Sequence, residues 1–409
     1  MTEAFYLKTR LHALGAGCAP GFLSLEKVEK IRAFHATFPM YRPTPLVRMK
    51  ETARRLGLGE VYIKDESQRF GLNAFKVLGG SYAIGHYLAD RLGLAMEAVS
   101  CALLTAPETK EKLGDITFVT ATDGNHGRGV AWTAAQVGMK SVVYMPFGSA
   151  RERLENIRAA GAEAAITHLN YDDTVRLASA HAAERGWVLV QDTSWEGYEE
   201  IPAHIMQGYC TMGLEALEQM PVFPTHVFLQ AGVGSMAGAI AGLFAARFGK
   251  DRPKVVIVEP NKADCFYRTA RADDGTLHAV TGSMDTIMAG LACGEPCPLA
   301  WDVLKNCADH FISCPDYAAA KGMRILGNPV PGDERIISGE SGASAFGCAA
   351  EIMQNKALEA IRDEIGLNKD SRVLFFSTEG DTDRENYRAI VWDGKYPAPG
   401  DCFSACRSW

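Results

Sequence analysis

The run Gly232-Val233-Gly234-Ser235-Met236-Ala237-Gly238 follows an apolar stretch ending at Leu229 and opens a segment rich in Ala and Gly. Glycines there let backbone N–H groups approach an anion, and a helix N-terminus beyond them favours a phosphate. Gly232, Gly234 and Ala237 also satisfy G-x-G-x-x-A, and Glu259 closes a strand candidate about 25 residues after Gly234. The motif predicts an anion site and leaves a dinucleotide and a simple phosphate both open. A packing turn without a ligand would use the same glycines. No His/Cys/Asp cluster has metal-ligand spacing and no Gly-x-Ser-x-Gly elbow occurs, so metallohydrolase and serine hydrolase readings fail.

The elements that must position these residues alternate between strands and helices. Strand candidates are Val61–Lys64, Ile116–Val119, Ser141–Met145, Val188–Val190, His226–Leu229, Val255–Val258 and Val373–Phe376. Several are followed by a Gly-containing turn and a helical stretch. That order predicts parallel sheets buried on both faces. Ser141–Met145 shows the logic: Pro146-Phe147-Gly148 turns out of the strand, and Ala150–Ala160 carries Leu154, Ile157 and Ala160 on one stripe. Gly161 stops that helix, and Ala164-Ala165-Ile166 opens the next strand. No linker is long enough to separate independent domains, so two domains are expected to interleave.

Composition narrows the class. The 409 residues are 47% hydrophobic and 22% charged, with a net charge of −7, so a folded chain is expected. An acidic balance gives no long-range attraction for nucleic acid or anionic lipid. No apolar run is long enough to span a bilayer, and Met1–Lys8 lacks the basic and apolar regions of a signal peptide. A cytoplasmic protein is expected. Eleven cysteines, an odd and scattered set, suggest no disulfide framework. A regulatory bridge from Cys265 to Cys293 or Cys297 is the minor alternative to plain thiols there.

Further strings give the site its order. Thr44-Pro45-Leu46, Asn73-Ala74-Phe75-Lys76, Asp123-Gly124-Asn125-His126 and the helix after Arg151 stand in this sequence along the chain. In that order they resemble the fold-type II pyridoxal phosphate enzymes, which include threonine and serine dehydratases, cysteine synthase and the tryptophan synthase β chain. The likeness runs from about Tyr41 to Asp383. Asp123 and the tail Phe376–Asp383 are most similar to the diaminopropionate ammonia-lyases of that family. The resemblance implies a tryptophan synthase β-like α/β fold of two doubly wound open-sheet domains with the cofactor between them. The large domain would take residues 1–83 and 196–409, and the small inserted one 84–195.

Each implied role has a physical reason. Lys76 would form the internal Schiff base with pyridoxal 5'-phosphate, since a partly desolvated amine loses its proton more easily. Asn125 would hydrogen-bond the cofactor's phenolic oxygen, and Gly232, Gly234, Ser235 and Met236 would cradle its phosphate. A dinucleotide would leave Lys76 and Asn125 idle. Ser377 or Thr378 would meet the pyridine nitrogen, with Ser377 ranked first by likeness to a tryptophan synthase β segment. A neutral hydroxyl there limits the electron sink and suits β-elimination.

Asp123 stands where serine is common in the family. A carboxylate there attracts a β-ammonium and could take the Cα proton once that amine is neutral. Asp192, after another strand, is a second candidate; carboxylates on opposite faces of Cα would let one site process D- and L-substrates. Glu340 and Ser341 would form a substrate-facing wall, while His126 is expected to pack or bond locally. Local roles compete: Asp123 could cap a helix, Asp192 could close a turn and Glu340 could mark a helix start. The implied reaction is α,β-elimination of 2,3-diaminopropionate to pyruvate and two ammonia, by a homodimer acting on a small amino acid. The alternatives are a serine/threonine dehydratase or another β-eliminating or β-replacing enzyme, and a non-catalytic cofactor-binding protein.

Overall fold

The computed structural model of the protein describes residues 4–10 and 20–399. The strands are β1 (Tyr6–Thr9), β2 (Leu46–Arg48), β3 (Glu60–Asp65), β4 (Thr117–Ala121), β5 (Lys140–Met145) and β6 (Glu163–Ile166). After them come β7 (Val188–Leu189), β8 (His226–Gln230), β9 (Lys254–Pro260), β10 (His310–Cys314) and β11 (Arg372–Ser377). They form a seven-stranded sheet ordered β1-β10-β9-β8-β11-β3-β2 and a four-stranded sheet ordered β6-β5-β4-β7. The smaller sheet is parallel throughout. In the larger, only β1 and β2, at the two edges, run antiparallel to their neighbours.

Alternation along the inner strands builds two cores, one on each face of the large sheet. Val227, Leu229, Ile257, Leu374 and Phe376 join one cluster. Phe228, Val256, Val258, Val373 and Phe375 join the other. On that second face Phe346 meets the Phe375 ring edge-on at 5.4 Å, which seats helix Glu340–Gln354 against the sheet. Leu154 and Ile157 of helix Arg151–Ala159 pack on Val143 and Met145 of the small sheet, as their spacing predicts.

Sequence reasoning misses β1, β2 and β10. The first two are short antiparallel edges without an apolar run. In β10 the polar His310 and Ser313 hide the pattern, yet both are buried and hydrogen-bonded, to Thr9 and Asp264. All four strands of the small sheet lie between residues 117 and 189. A boundary between residues 83 and 84 would cut helix Val77–Leu92 in mid-course. We therefore propose 93–195 as the inserted unit in place of 84–195. The outermost ends of the expected large domain, 1–3 and 400–409, lie outside the described residues.

Backbone order decides where the site forms. β9 and β10 lie on one side of β8, while β11 and β3 lie on the other. Crevices of this kind open beyond the carboxyl ends of parallel strands where the order reverses. The loops after β3, β4, β7, β8 and β11 carry Lys76, Asp123, Asp192, the glycine run and Thr378 in turn.

Helix Glu340–Gln354 reaches this crevice because glycines let it pack closely on helix Asp316–Gly327. A Cβ at Gly347 would lie 1.9 Å from the Ala318 carbonyl oxygen, and one at Gly322 would lie 2.3 Å from that of Ala343. Gly347→Ala must push the helices apart and is expected to lower stability by about 3 kcal/mol. A denaturant midpoint equal to that of the unaltered protein would contradict this packing.

Candidate active site

A cavity of about 600 Å³ opens at those strand ends. Lys76, Asp123, Asn125, Asp192, Glu340, Ser341 and Thr378 line it together with Gly232, Gly234, Ser235 and Met236. Ser377 does not. The residues at the end of β11 alternate, so Thr378 faces the cavity while Ser377 Oγ donates to Ser338 Oγ at 2.8 Å on the buried side. The preference for Ser377 over Thr378 is thereby reversed. Gln230 Nε2 donates to Thr378 Oγ1 at 3.0 Å.

Lys76 immediately precedes helix Val77–Leu92, and Phe75 N–H bonds the Thr378 carbonyl at 3.0 Å. Its Nζ donates to Asp192 Oδ2 at 2.6 Å. Asp192 Oδ1 in turn accepts from the Tyr171 hydroxyl at 3.3 Å. Burial alone would depress the Lys76 pKa, but the Asp192 carboxylate, helped by Asp123, holds it above the usual lysine value. The expectation of an easily deprotonated amine is overturned by this ion pair. Burial would raise Asp192, yet Lys76 outweighs it and holds the acid at about 2.

His126 lies behind the pair. Its Nε2 donates to the Val190 carbonyl at 2.7 Å, and Nδ1 stands 3.9 Å from Asp192 Oδ2. Burial lowers its pKa, so the ring is neutral and locally bonded. Ser235 Oγ reaches the Asp192 carbonyl at 2.5 Å, tying the glycine loop to the Asp192 loop.

The opposite wall is acidic with one cation set into it. Arg153 Nη1 lies 3.6 Å from Asp123 Oδ2, and Nη2 lies 3.7 Å from Glu340 Oε2. Asp123 Oδ2 and Arg153 Nε are buried without a hydrogen-bond partner. Asp123 caps no helix, since the N-cap of Asn125–Gln136 is Gly124. Burial pushes Glu340 up to about 7, with Arg153 opposing and Glu379 adding to the rise. Glu340 and Ser341 sit inside the first turn of helix Glu340–Gln354. Asn125 donates its side-chain amide to Glu379.

The glycine run forms a cradle at the start of helix Ser235–Phe248. Gly234 has φ +94°, and a Cβ there would come within 2.3 Å of the Phe266 ring. A Cβ at Gly232 would lie 2.9 Å from the Gly290 carbonyl oxygen. Glu259, the acid of the apparent dinucleotide fingerprint, is buried and accepts the backbone N–H groups of Phe266 and Tyr267 at 2.8 and 2.7 Å. It caps helix Cys265–Ala272 and is not available to a ribose. Cys265, Cys293 and Cys297 are free buried thiols. Among the described residues no His, Cys, Asp or Glu group is arranged to hold a metal ion, and no helix is long and apolar enough to cross a membrane.

Sequence reasoning gives no role to Arg153, Glu379, Tyr171 or Gln230. Arg153 leaves one trace: it lies four residues before Ile157, on the buried side of an amphipathic helix, where an arginine needs a reason.

Residues 37–373 match the model of the pyridoxal-phosphate dependent enzyme family. The diaminopropionate ammonia-lyase of Salmonella typhimurium (strain LT2) is 52% identical over 396 residues, spanning 96% of this chain and 98% of the relative. Holo diaminopropionate ammonia lyase from Escherichia coli superposes with a TM-score of 0.90 at 47% identity, covering 97% of this chain and 98% of that one. The same Escherichia coli enzyme in complex with an aminoacrylate-PLP azomethine reaction intermediate gives 0.88 at 47% identity, again covering 97% and 98%. This chain belongs to the pyridoxal-phosphate dependent enzyme family, beside its diaminopropionate ammonia-lyases.

Proposed function

We propose that the protein is a pyridoxal 5'-phosphate-dependent ammonia-lyase that converts 2,3-diaminopropionate and water to pyruvate and two ammonia. The observation that carries this reading is the convergence of Lys76 with the carboxylates of Asp123 and Asp192 in the cavity beside a glycine cradle. The residues present fit the cofactor. Gly232 to Met236 offer backbone N–H groups at a helix N-terminus for the phosphate, where side chains at Gly232 or Gly234 would clash. Lys76 supplies the amine that holds the aldehyde. Because Thr378 Oγ1 accepts from Gln230, its own proton is free for the ring nitrogen. Asn125 would face the ring oxygen.

Bound there, the cofactor withdraws electrons from the substrate's Cα and so weakens the Cα–H and β C–N bonds. The chain's own residues do the rest. Lys76 would hold the cofactor through the amine that pairs with Asp192, and Asp192 would then stand beside the substrate as a proton acceptor. Asp123 attracts the β-ammonium, and Arg153, set between Asp123 and Glu340, holds Asp123 at the wall. Asp123 and Asp192, reaching Cα from different sides, take its proton from either enantiomer. The β-amine leaves as ammonia, and the freed enamine hydrolyses to pyruvate and the second ammonia. A cytosolic homodimer is part of this reading, supported by the cysteine usage and the family resemblance.

Two observables of the unaltered protein and one variant test the function together. Addition of pyridoxal 5'-phosphate is expected to give a visible absorbance band, and 2,3-diaminopropionate then to give two ammonia per pyruvate. Lys76→Ala is expected to abolish both band and turnover. A preference for serine, with one ammonia per pyruvate, would transfer the protein to the dehydratases, and a band without turnover of any amino acid would mark a non-catalytic binder.

Loading carries its own pH signature. Lys76 reacts only as the neutral amine, and its raised pKa means that fraction grows with pH. The rate at which the band appears in cofactor-free protein is therefore expected to rise through the alkaline range. Asp192→Asn removes the attraction and leaves burial, so the profile should move to lower pH. An unchanged or higher midpoint would contradict the pairing of Lys76 with Asp192.

A further inference from the structure

Glu379 stands just beyond β11, 2% exposed, between the N-termini of two helices that belong to different sheets. Asn125, first residue of helix Asn125–Gln136, donates Nδ2 to Glu379 Oε2. Ser341, in the first turn of helix Glu340–Gln354, donates its backbone N–H to Glu379 Oε1 at 3.2 Å. That second helix begins after Gly339, which has no side chain to cap it. The glycine also gives Glu379 room, since a Cβ there would lie 2.9 Å from Glu379 Cγ. The carboxylate thus supplies the missing cap from another strand, and the helix N-terminus favours its charge.

The acceptor is held rigidly. Gly339 N–H bonds the Glu379 carbonyl at 2.9 Å, and Gly380 N–H bonds the Asn73 carbonyl at 3.0 Å. An asparagine amide has one end that accepts and one that donates two hydrogens. With a carboxylate fixed against it, only the NH₂ end can turn toward Glu379, and one of its two hydrogens remains for another partner. We propose that Glu379 is a positioning residue that locks the Asn125 amide so that it presents an N–H to the cofactor's ring oxygen. In this role Glu379 acts through Asn125 and not on the cofactor directly. This inference rests on the assignment of Asn125 to that oxygen.

An N–H aimed at the ring oxygen stabilises its negative charge, so its loss makes the attached lysine nitrogen harder to deprotonate. The readout is the pH midpoint of the visible band in the pyridoxal phosphate-loaded protein. Asn125→Ala is expected to raise that midpoint by about 1 to 2 units, the size of a lost hydrogen bond to a charged group. Glu379→Ala should raise it by at least half as much. Glu379→Gln, whose carbonyl still accepts from Nδ2, should restore most of the difference. The double variant should go no further than Asn125→Ala alone. If Glu379→Ala does not fold, Glu379→Asp, too short to reach both partners, replaces it with the same expectation. A wild-type midpoint in the Glu379 variants while Asn125→Ala shifts, or additive shifts in the double variant, would overturn the proposal. A midpoint unmoved by Asn125→Ala would instead sink the assignment of Asn125, and this inference with it.

Discussion

An ammonium at the bottom of a cleft needs a counter-charge, and in this protein the ion pair between Lys76 and Asp192 meets that need. The two residues come from different sheets' loops, 116 positions apart in the chain. Their contact therefore holds only if the strand ends of both sheets face one another. The two cores that alternate across the large sheet fix one side of the cleft, and the packing of Leu154 and Ile157 on the small sheet fixes part of the other. Ser235 and Tyr171 then hold the Asp192 segment from two directions. The pair also sets the chemistry, because it favours a protonated lysine and an ionised aspartate.

The remaining charges follow from that arrangement. An acidic wall of Asp123, Glu340 and Glu379 would repel itself without Arg153, which lies within 4 Å of two of them. Burial, with Glu379 adding to it, still leaves Glu340 at about 7 despite Arg153. A substrate with an amine at its β-carbon adds positive charge to such a wall, while a hydroxyl does not. The glycine cradle is neutral backbone and suits an anion. The cavity thus combines a cradle suited to a phosphate with an acidic wall suited to an ammonium.

Much of this was legible in the sequence because the chemistry sits in short local strings. Asn125 and the glycines around Gly234 lie within a few residues of a strand end, and Lys76 stands at the start of a helix, so that motif and element are read together. Thr378 and Ser377 show where that stops: both are hydroxyls at the same strand end, and only the alternation of β11 decides which faces the cavity. Glu259 shows a converse failure. Its spacing from the glycines imitates a ribose-binding acid, but its carboxylate is taken up by capping the helix Cys265–Ala272 that follows it in the chain. Arg153 and Glu379 act through partners far away in sequence, so no local pattern announces them. The strand β10 was hidden because its polar residues are satisfied only by distant side chains.

The central claim is that two carboxylates serve one reacting carbon from different sides. The direct measurement is pyruvate formation from D- and from L-2,3-diaminopropionate, separately, by Asp123→Asn and Asp192→Asn. The account predicts that each variant loses about 10² to 10⁴ of its kcat/KM on one enantiomer and far less on the other, with the two variants losing opposite ones. Equal losses on both enantiomers in both variants would contradict it.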